Sequence, residues 1–304
     1  MHNLNNQFII SMLIISLGYI SRRLNILKEQ DGEGIARVIF NFTLPSVVIT
    51  VISSSKIDPA LTFLPLISVV YGILMALLAL LLFRKESRNR KGMLSIALPG
   101  LNIALFAYPL VEAIWGKESL RYLAMFDMGN GLIIFGVCYL FASYYSGEVP
   151  SVDFKSIFFK MLRSVPLMAF IVTLIIYLSG LSYPRLVLDI TSTLSKANTP
   201  LSLLLLGIYL SFNLDSSYLK DIAKVLVVRY VIGICTGVLL YYLLPFDTHF
   251  RNITLIGFIL PVASSTIAYS VQFGYDKRFI AAVTNISLVF SFILLWIVAN
   301  IFTV

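Results

Sequence analysis

Apolar segments of membrane-spanning length follow one another along almost the whole chain. A helix that crosses a bilayer needs about 20 predominantly apolar residues. Ten such segments can be marked, at residues 7–22, 34–54, 60–83, 93–115, 119–145, 156–180, 186–212, 221–244, 252–273 and 278–302. Charged residues make up only 12% of the chain, whereas soluble domains contain about 25%. The sequence therefore predicts an all-α membrane protein with ten transmembrane helices.

Basic residues are distributed unevenly between the connections. The connections after the odd-numbered segments, with their flanks, hold fifteen Lys and Arg residues, and those after the even-numbered segments hold five. Because cytoplasmic connections carry the excess of basic residues, we expect both termini to be extracytoplasmic, in a plasma membrane (the inner membrane of a bacterium). The net charge of +8 then reflects topology. We expect membrane lipid as a partner but no nucleic acid, because no basic face with interleaved aromatic residues is present.

The two halves of the chain resemble each other weakly. Residues 1–147 and 148–304 each contain five segments, and a repeat with an odd number of spans must return in the opposite orientation. Pro45 and Pro200, and likewise Gly116 and Gly274, recur at a nearly constant offset. Inverted repeats of this kind are common in alternating-access transporters. The sequence therefore predicts two inverted five-helix repeats.

Segments 4 and 9 both contain proline next to polar residues. Segment 4 has Pro99, Gly100, Asn102 and Pro109, and segment 9 has Pro261 followed by a Ser-Ser-Thr cluster. Proline removes a backbone donor, and freed peptide groups in a membrane must face protein or a water-filled cavity. Interrupted spans at matching places predict a binding site, whose half-helix N-termini suit an anionic group. The alternative is that these prolines only kink their helices.

This reasoning gives a set of candidate substrate-binding residues. Segments 2 and 7 contribute polar residues beside their own prolines, for which hydrogen bonding between helices is an equally good explanation. The candidates are Asn102, Tyr108, Pro109, Pro261, Ser264, Ser265, Thr266, Asn41 and Asn198.

Ionisable residues within the spans are costly and are therefore functional candidates. Asp127, with the nearby Asn130, and Lys196 lie well inside their segments and are candidates for ion coupling or for balancing the charge of a carboxylate, unless each simply pairs with another charge. The remaining four lie near enough to a segment end for their head groups to reach the membrane edge. These are Arg37, Glu112, Asp189 and Arg229.

Cofactor and enzyme signatures are not found in the sequence. The two cysteines, Cys138 and Cys235, both lie in apolar runs without metal-binding spacing, so we expect no cofactor and no metal. No Ser/His pair, zinc signature or pair of catalytic aspartates occurs within the spans, and there is no Walker A motif. We therefore expect a protein that is not an enzyme, and the choice of H⁺ or Na⁺ as coupling ion stays open.

Four stretches resemble signatures of the auxin efflux carrier family. The stretch from Arg37 to Ser46 is similar to that family's second helix, and Gly100 to Pro109 to its fourth. Asp127 to Asn130 is similar to its fifth helix, and Leu260 to Gly274 to its ninth. The resemblance covers the whole chain, and the short connection between the halves is similar to the bacterial members.

The resemblance implies a fold shared with bile-acid sodium symporters and sodium/proton antiporters, in which helices 4 and 9 break and cross. It implies a scaffold domain of helices 1, 2, 6 and 7, a moving transport domain of helices 3–5 and 8–10, and possible homodimerisation through the scaffold. Asn102 would be the asparagine at the crossing, Pro109 a second break of helix 4, and Pro261 the crossing proline of helix 9. The chain departs from the family pattern at Val262 and Ser265, where the family often has proline and asparagine.

The family includes plant auxin carriers and bacterial permeases for malonate and related acids. The resemblance and the broken spans together predict a secondary active transporter of a small organic anion, such as a mono- or dicarboxylate, that works by alternating access. A membrane sensor or a channel built on the same scaffold is the alternative.

Overall fold

The computed structural model describes residues 2–54, 58–146, 154–211 and 215–302. The boundary predicted between the two halves, at residues 147 and 148, lies outside these residues. The helical segments, labelled in chain order, have the following bounds. They are α1 (His2–Arg23), α2 (Glu29–Ser53), α3 (Pro59–Leu82), α4 (Arg88–Ile96 and Ile103–Trp115), α5 (Ser119–Ser146), α6 (Phe154–Arg163 and Val165–Leu178), α7 (Arg185–Ser195 and Asn198–Tyr209), α8 (Ser216–Leu243), α9 (Thr248–Phe258 and Ser265–Gln272) and α10 (Lys277–Phe302).

The described residues form an all-helical protein, as the sequence predicts. Six helices are long and apolar enough to cross a membrane: α1, α2, α3, α5, α8 and α10. Two shorter apolar helices are the second halves of α4 and α6. Many large apolar side chains are exposed, for example Leu13, Val70 and Val227, and a lipid environment rather than water suits such a surface. The chain is therefore an integral membrane protein.

Prolines explain the interruptions of α6 and α7, which the sequence analysis treats as continuous. Ser164 has an extended backbone, and Pro166 lies in the first turn of the helix that follows. In α7, a turn at Lys196 and Ala197 precedes the helix that contains Pro200. Proline cannot donate a hydrogen bond to the preceding turn, so each helix restarts close to its proline.

Pro109 does not break α4 a second time, so that expectation is wrong. The helix runs without interruption from Ile103 to Trp115. Its first part, Ile103–Ala107, is π-helical, and Pro109 lies at the start of the α-helical part. The wider hydrogen-bond pattern of a π turn accommodates a residue that lacks the N–H group.

Close packing of α1 against the second half of α7 depends on two glycines. A Cβ atom on Gly207 would lie 2.0 Å from the Ile15 carbonyl oxygen, and one on Gly18 would lie 2.2 Å from the Leu204 carbonyl oxygen. Small residues at helix contacts in membranes allow backbones to approach in this way.

Most helices pack in two groups, and the second half of α4 joins them by packing on α1 and α7. In the first group, α1 packs on α7, and α2 packs on both α6 and α7. In the second group, α3, the first half of α4 and the first half of α9 pack on α5, and α8 packs on α9 and α10. The interrupted parts of α4 and α9 face each other inside the molecule, and the candidate functional site is built around them.

Candidate functional site

The interruptions of α4 and α9 meet as two short extended segments. Leu101 and Val262 form an isolated antiparallel β-bridge. The Asn102 N–H donates to the Pro261 carbonyl at 2.9 Å, and the Ala263 N–H donates to the Gly100 carbonyl at 3.3 Å. Each segment therefore satisfies peptide groups that the other has freed from helical hydrogen bonding, as a membrane interior requires. We call residues 97–102 and 259–264 together the crossing.

A polar side chain from the next helix supports each segment of the crossing. Asn130 of α5 accepts a hydrogen bond from the Leu101 N–H and donates one to the Leu101 carbonyl, both at 3.0 Å. Ser287 of α10 accepts from the Val262 N–H at 3.0 Å. Asn130 and Ser287 are buried, so they replace hydrogen bonds that water would otherwise provide.

Arg229 of α8 lies beneath the crossing and is completely buried. The expectation that its head group reaches the membrane edge is wrong. Its guanidinium has five N–H groups and makes six donor–acceptor contacts, all to backbone carbonyls, so that one N–H is shared between two acceptors. The acceptors are Ala97, Leu98 and Gly100 of the α4 break and Leu260 and Pro261 of the α9 break. A buried cation is tolerated only when it is well paired, and here the carbonyl dipoles of both breaks pair it.

A cavity adjoins the crossing on the side where the second halves of α4 and α9 begin. The space between its atoms is about 780 Å³, part of it open to solvent. Its wall is formed by α2, α5 and α6 in addition to the crossing. Most of the wall is apolar, with a few polar side chains, which is the usual character of a small-molecule site. The polar side chains are Asn102, Tyr108, Asp127, Asn130, Ser164, Ser264 and Ser265.

Six of the twelve residues predicted for the site line this cavity. Asn102 donates from Nδ2 to the Ser264 hydroxyl at 2.7 Å, which links the two breaks through their side chains. The Ser265 hydroxyl is buried and has no hydrogen-bond partner among the described residues. Asp127 accepts a hydrogen bond from Asn130 at 3.3 Å, and no basic side chain of the described residues forms a salt bridge with it. The six are Asn102, Tyr108, Ser264, Ser265, Asp127 and Asn130.

The other six predicted residues do not line the cavity. Asn198 is buried and accepts a hydrogen bond from Thr43 at 2.9 Å, so it joins α7 to α2. Asn41 is exposed and donates to the Arg37 carbonyl of its own helix. Lys196 is exposed at the turn within α7. The remaining three, Pro109, Pro261 and Thr266, are buried in α4 and α9.

Two of these buried residues still shape the crossing. The Pro261 carbonyl accepts from both Asn102 and Arg229. The Thr266 hydroxyl donates to the Ala263 carbonyl at 2.6 Å and closes the turn that starts the second half of α9. Their contribution is therefore to the backbone geometry rather than to the cavity surface.

Three residues at the site were not predicted. Ser164 lines the cavity because α6 is interrupted there. The proline of the following Val165-Pro166 pair could have predicted this interruption. Ser287 supports the crossing from the middle of an apolar helix and gives no signal of its own. The sequence analysis identified Arg229 as a charge inside a span. Its contacts with the α4 break join residues that are more than a hundred positions apart in sequence, so they could not be predicted locally.

Long apolar helices that surround two interrupted helices and a largely apolar cavity define a polytopic helical membrane protein of the transporter class. Comparison with known proteins agrees: the family described as membrane transport protein matches residues 6–299. The chain therefore belongs to this family, the auxin efflux carrier family, and its resemblance to that family is confirmed.

Two archaeal relatives are similar along their whole length. An uncharacterized transporter of Methanothermobacter thermautotrophicus is 25% identical over 286 residues, which cover 93% of each chain. An uncharacterized transporter of Methanocaldococcus jannaschii is 25% identical over an alignment of 316 positions, gaps included, which covers 96% of this chain and 98% of that protein.

Proposed function

We propose that the protein is a secondary active transporter of a small organic anion, a mono- or dicarboxylate, that binds in the cavity at the crossing. The observation that carries the proposal is the convergence of two helix N-termini on one cavity. The second halves of α4 and α9 begin at Ile103 and Ser265, and both residues line the cavity. The positive end of the helix dipole favours an anion at such a place.

Side chains beside these helix ends supply further hydrogen bonds. The Ser265 hydroxyl has no hydrogen-bond partner in the described part of the chain, so we propose that it donates to a carboxylate oxygen. Asn102 and Ser264 lie on the cavity wall and bond to each other, so a ligand that exchanges with this bond would contact both breaks. Two donors from different helices suit the two oxygens of a carboxylate.

The proposed transport cycle uses alternating access between two domains. We propose ten spans in two inverted repeats, with a scaffold of α1, α2, α6 and α7 and a transport domain of α3–α5 and α8–α10. The two packing groups of helices support this division. The cavity lies between α2 and α6 on one side and the crossing and α5 on the other, so relative motion of the domains would carry the ligand. The protein would reside in the plasma membrane with both termini extracytoplasmic.

Asp127 is the proposed coupling residue. Its carboxyl lies in the cavity wall, where a second negative charge, that of the substrate, would be repelled unless Asp127 takes up a proton. The proposal therefore assigns the coupling ion as H⁺ and requires no cofactor. Lys196 is exposed and remote from the cavity wall, which argues against a charge-balancing role for it.

The first test is a screen of mono- and dicarboxylates against the thermal stability of the purified protein. A ligand that prefers the folded state raises the melting temperature. A carboxylate that does so is then followed as counterflow in proteoliposomes, with Asn102→Ala as the test variant. Asn300→Ala is the control, because Asn300 is exposed and donates to the Trp296 carbonyl in the preceding turn of its own helix.

We expect saturable counterflow in the wild type and in Asn300→Ala, and at least tenfold slower counterflow (about 1.4 kcal/mol) in folded Asn102→Ala. Normal flux through folded Asn102→Ala would contradict the proposed site. Single-channel conductance in a planar bilayer without counterflow would show a channel and refute the transporter mechanism.

A further inference from the structure

We infer that Arg229 is the fixed countercharge of the crossing, the group that makes the cavity attractive to an anion without a bound metal cation. This inference rests on the proposed function for its statement about anions. The presence of a fixed positive charge at the crossing is inferred from the geometry of the guanidinium alone and is tested separately.

The guanidinium occupies the place where two half-helices end. The first halves of α4 and α9 end at Ile96 and Phe258, and the carbonyls that follow them point at Arg229, with Leu98 at 2.6 Å and Leu260 at 3.0 Å. The C-terminus of a helix carries partial negative charge. Arg229 therefore neutralises both negative ends, and the positive ends that face the cavity are left uncompensated.

Arg229 also bonds to both carbonyls of the β-bridge. The same nitrogen, Nη2, donates to Gly100 and to Pro261, each at 2.9 Å. These two carbonyls are the acceptors for the Ala263 and Asn102 N–H groups. Converging carbonyl oxygens are the usual ligands of a hard metal cation, but here the guanidinium holds them. A cation from solution would have to displace the Arg229 guanidinium, which the surrounding carbonyls hold by hydrogen bonds.

A chain of hydrogen bonds connects Arg229 to the acid of the cavity. Arg229 donates to the Gly100 carbonyl, whose peptide N–H, on Leu101, donates to Asn130 Oδ1. Asn130 Nδ2 donates in turn to Asp127 Oδ1 at 3.3 Å. All of these bonds run from donor to acceptor in the same direction, so each strengthens the next. The same fixed positive charge therefore stabilises both a negative charge on Asp127 and an anion that binds at the crossing.

No carboxylate of the described residues forms a salt bridge with Arg229. Its direct partners are the carbonyl dipoles of the two breaks, which carry partial and not full negative charge. This distinguishes Arg229 from a structural ion pair and makes its charge available to a ligand.

The charge is tested first without any organic anion. The melting temperature of purified Arg229→Ala is measured with guanidinium chloride or with urea, a neutral planar N–H donor of similar size, at equal low concentration. Arg22→Ala is the matched control, because Arg22 also donates to carbonyls at a helix end, those of Ile208 and Leu210, but lies at the surface away from the cavity. We expect guanidinium, and not urea, to restore a large part of the stability lost in Arg229→Ala and to leave Arg22→Ala unchanged.

Two further variants apply if Arg229→Ala does not fold. Arg229→Lys keeps the charge with fewer donors, and Arg229→Met has similar length and no charge. We expect the lysine variant to melt at a clearly higher temperature than the methionine variant. Equal impairment of both variants, or a failure of guanidinium to restore folded Arg229→Ala, would overturn the inference.

The consequence for anions is tested by kinetics with the carboxylate that the wild type transports. A purely structural role would lower the maximal rate and leave KM unchanged. We expect KM to rise about tenfold or more in the uncharged variants, to rise less in Arg229→Lys, and to be unchanged in Arg22→Ala. An unchanged KM in the uncharged variants would refute the countercharge. If the wild type binds no carboxylate, the proposed function fails, while the guanidinium experiment still decides whether a fixed charge fills the crossing.

Discussion

Truncation of Asn130 to alanine removes the side chain that supports the α4 break. Asn130 is 2% exposed and bonds to both the N–H and the carbonyl of Leu101. The Leu101 N–H would be left unsatisfied, at a cost of about 1–3 kcal/mol. The Leu101 carbonyl keeps the hydrogen bond from the Ile103 N–H at 3.1 Å, so it loses one bond, worth about 0.5–1.5 kcal/mol, and the sum is about 1.5–4.5 kcal/mol. Leu101 adjoins the cavity, and water there can replace part of the lost bonding. We therefore expect a loss in the lower half of this range, about 1.5–3 kcal/mol.

The equivalent change in the other half of the chain provides a matched comparison. Ser287→Ala leaves one peptide group, the Val262 N–H, without its acceptor, so we expect a loss of about 1–3 kcal/mol. Asn130→Asp separates the two roles of Asn130. It keeps an acceptor for the Leu101 N–H, but it removes the donor to the Leu101 carbonyl and places a second carboxylate beside Asp127.

The assay is unfolding of the purified variants in mixed detergent micelles, followed by the free energy of unfolding and by the melting temperature. We expect Asn130→Ala to be less stable than Ser287→Ala, and both to be less stable than the wild type. An Asn130→Ala protein within about 0.5 kcal/mol of the wild type, the usual range for surface changes, would refute the reasoning that the crossing depends on side-chain support.

Three further outcomes follow from other contacts. Gly207→Ala would place a Cβ atom 2.0 Å from a backbone oxygen of α1, so we expect a loss of about 1–3 kcal/mol in unfolding free energy. The control is Gly136→Ala, whose Cβ would meet nothing within 4 Å and which should be neutral or slightly stabilising. Thr199→Val removes a hydrogen bond to the half-buried Glu112 and should cost about 1 kcal/mol by the same measurement; a loss of 3 kcal/mol or more would mean that Glu112 is far more desolvated than its exposure indicates. Asp127→Asn should retain carboxylate counterflow but lose uptake driven by a proton gradient, measured with a pH-sensitive dye inside proteoliposomes, and full proton-driven uptake in this variant would contradict the coupling role.

The sequence by itself determined the class of the protein and two of the places where its helices break, in α4 and in α9. Long apolar segments with few charges are sufficient to predict a helical membrane protein, because the cost of exposing peptide groups to lipid leaves few other structures. Pro99 and Pro261 act through bonds within their own segments, so the breaks near them could be predicted locally. The polar residues beside them, Asn102, Ser264 and Ser265, do line the cavity.

Tertiary structure alone decided which of the remaining polar groups meet at the crossing. Arg229 is 129 residues from Gly100 in sequence, and an arginine inside a span reads equally well as a group that extends to the membrane edge. Asn198 lies beside a proline as Asn102 does, but it bonds to Thr43 in a helix contact. The direction of a side chain from a helix depends on how that helix is rotated against its neighbours, and local sequence carries no information on that rotation.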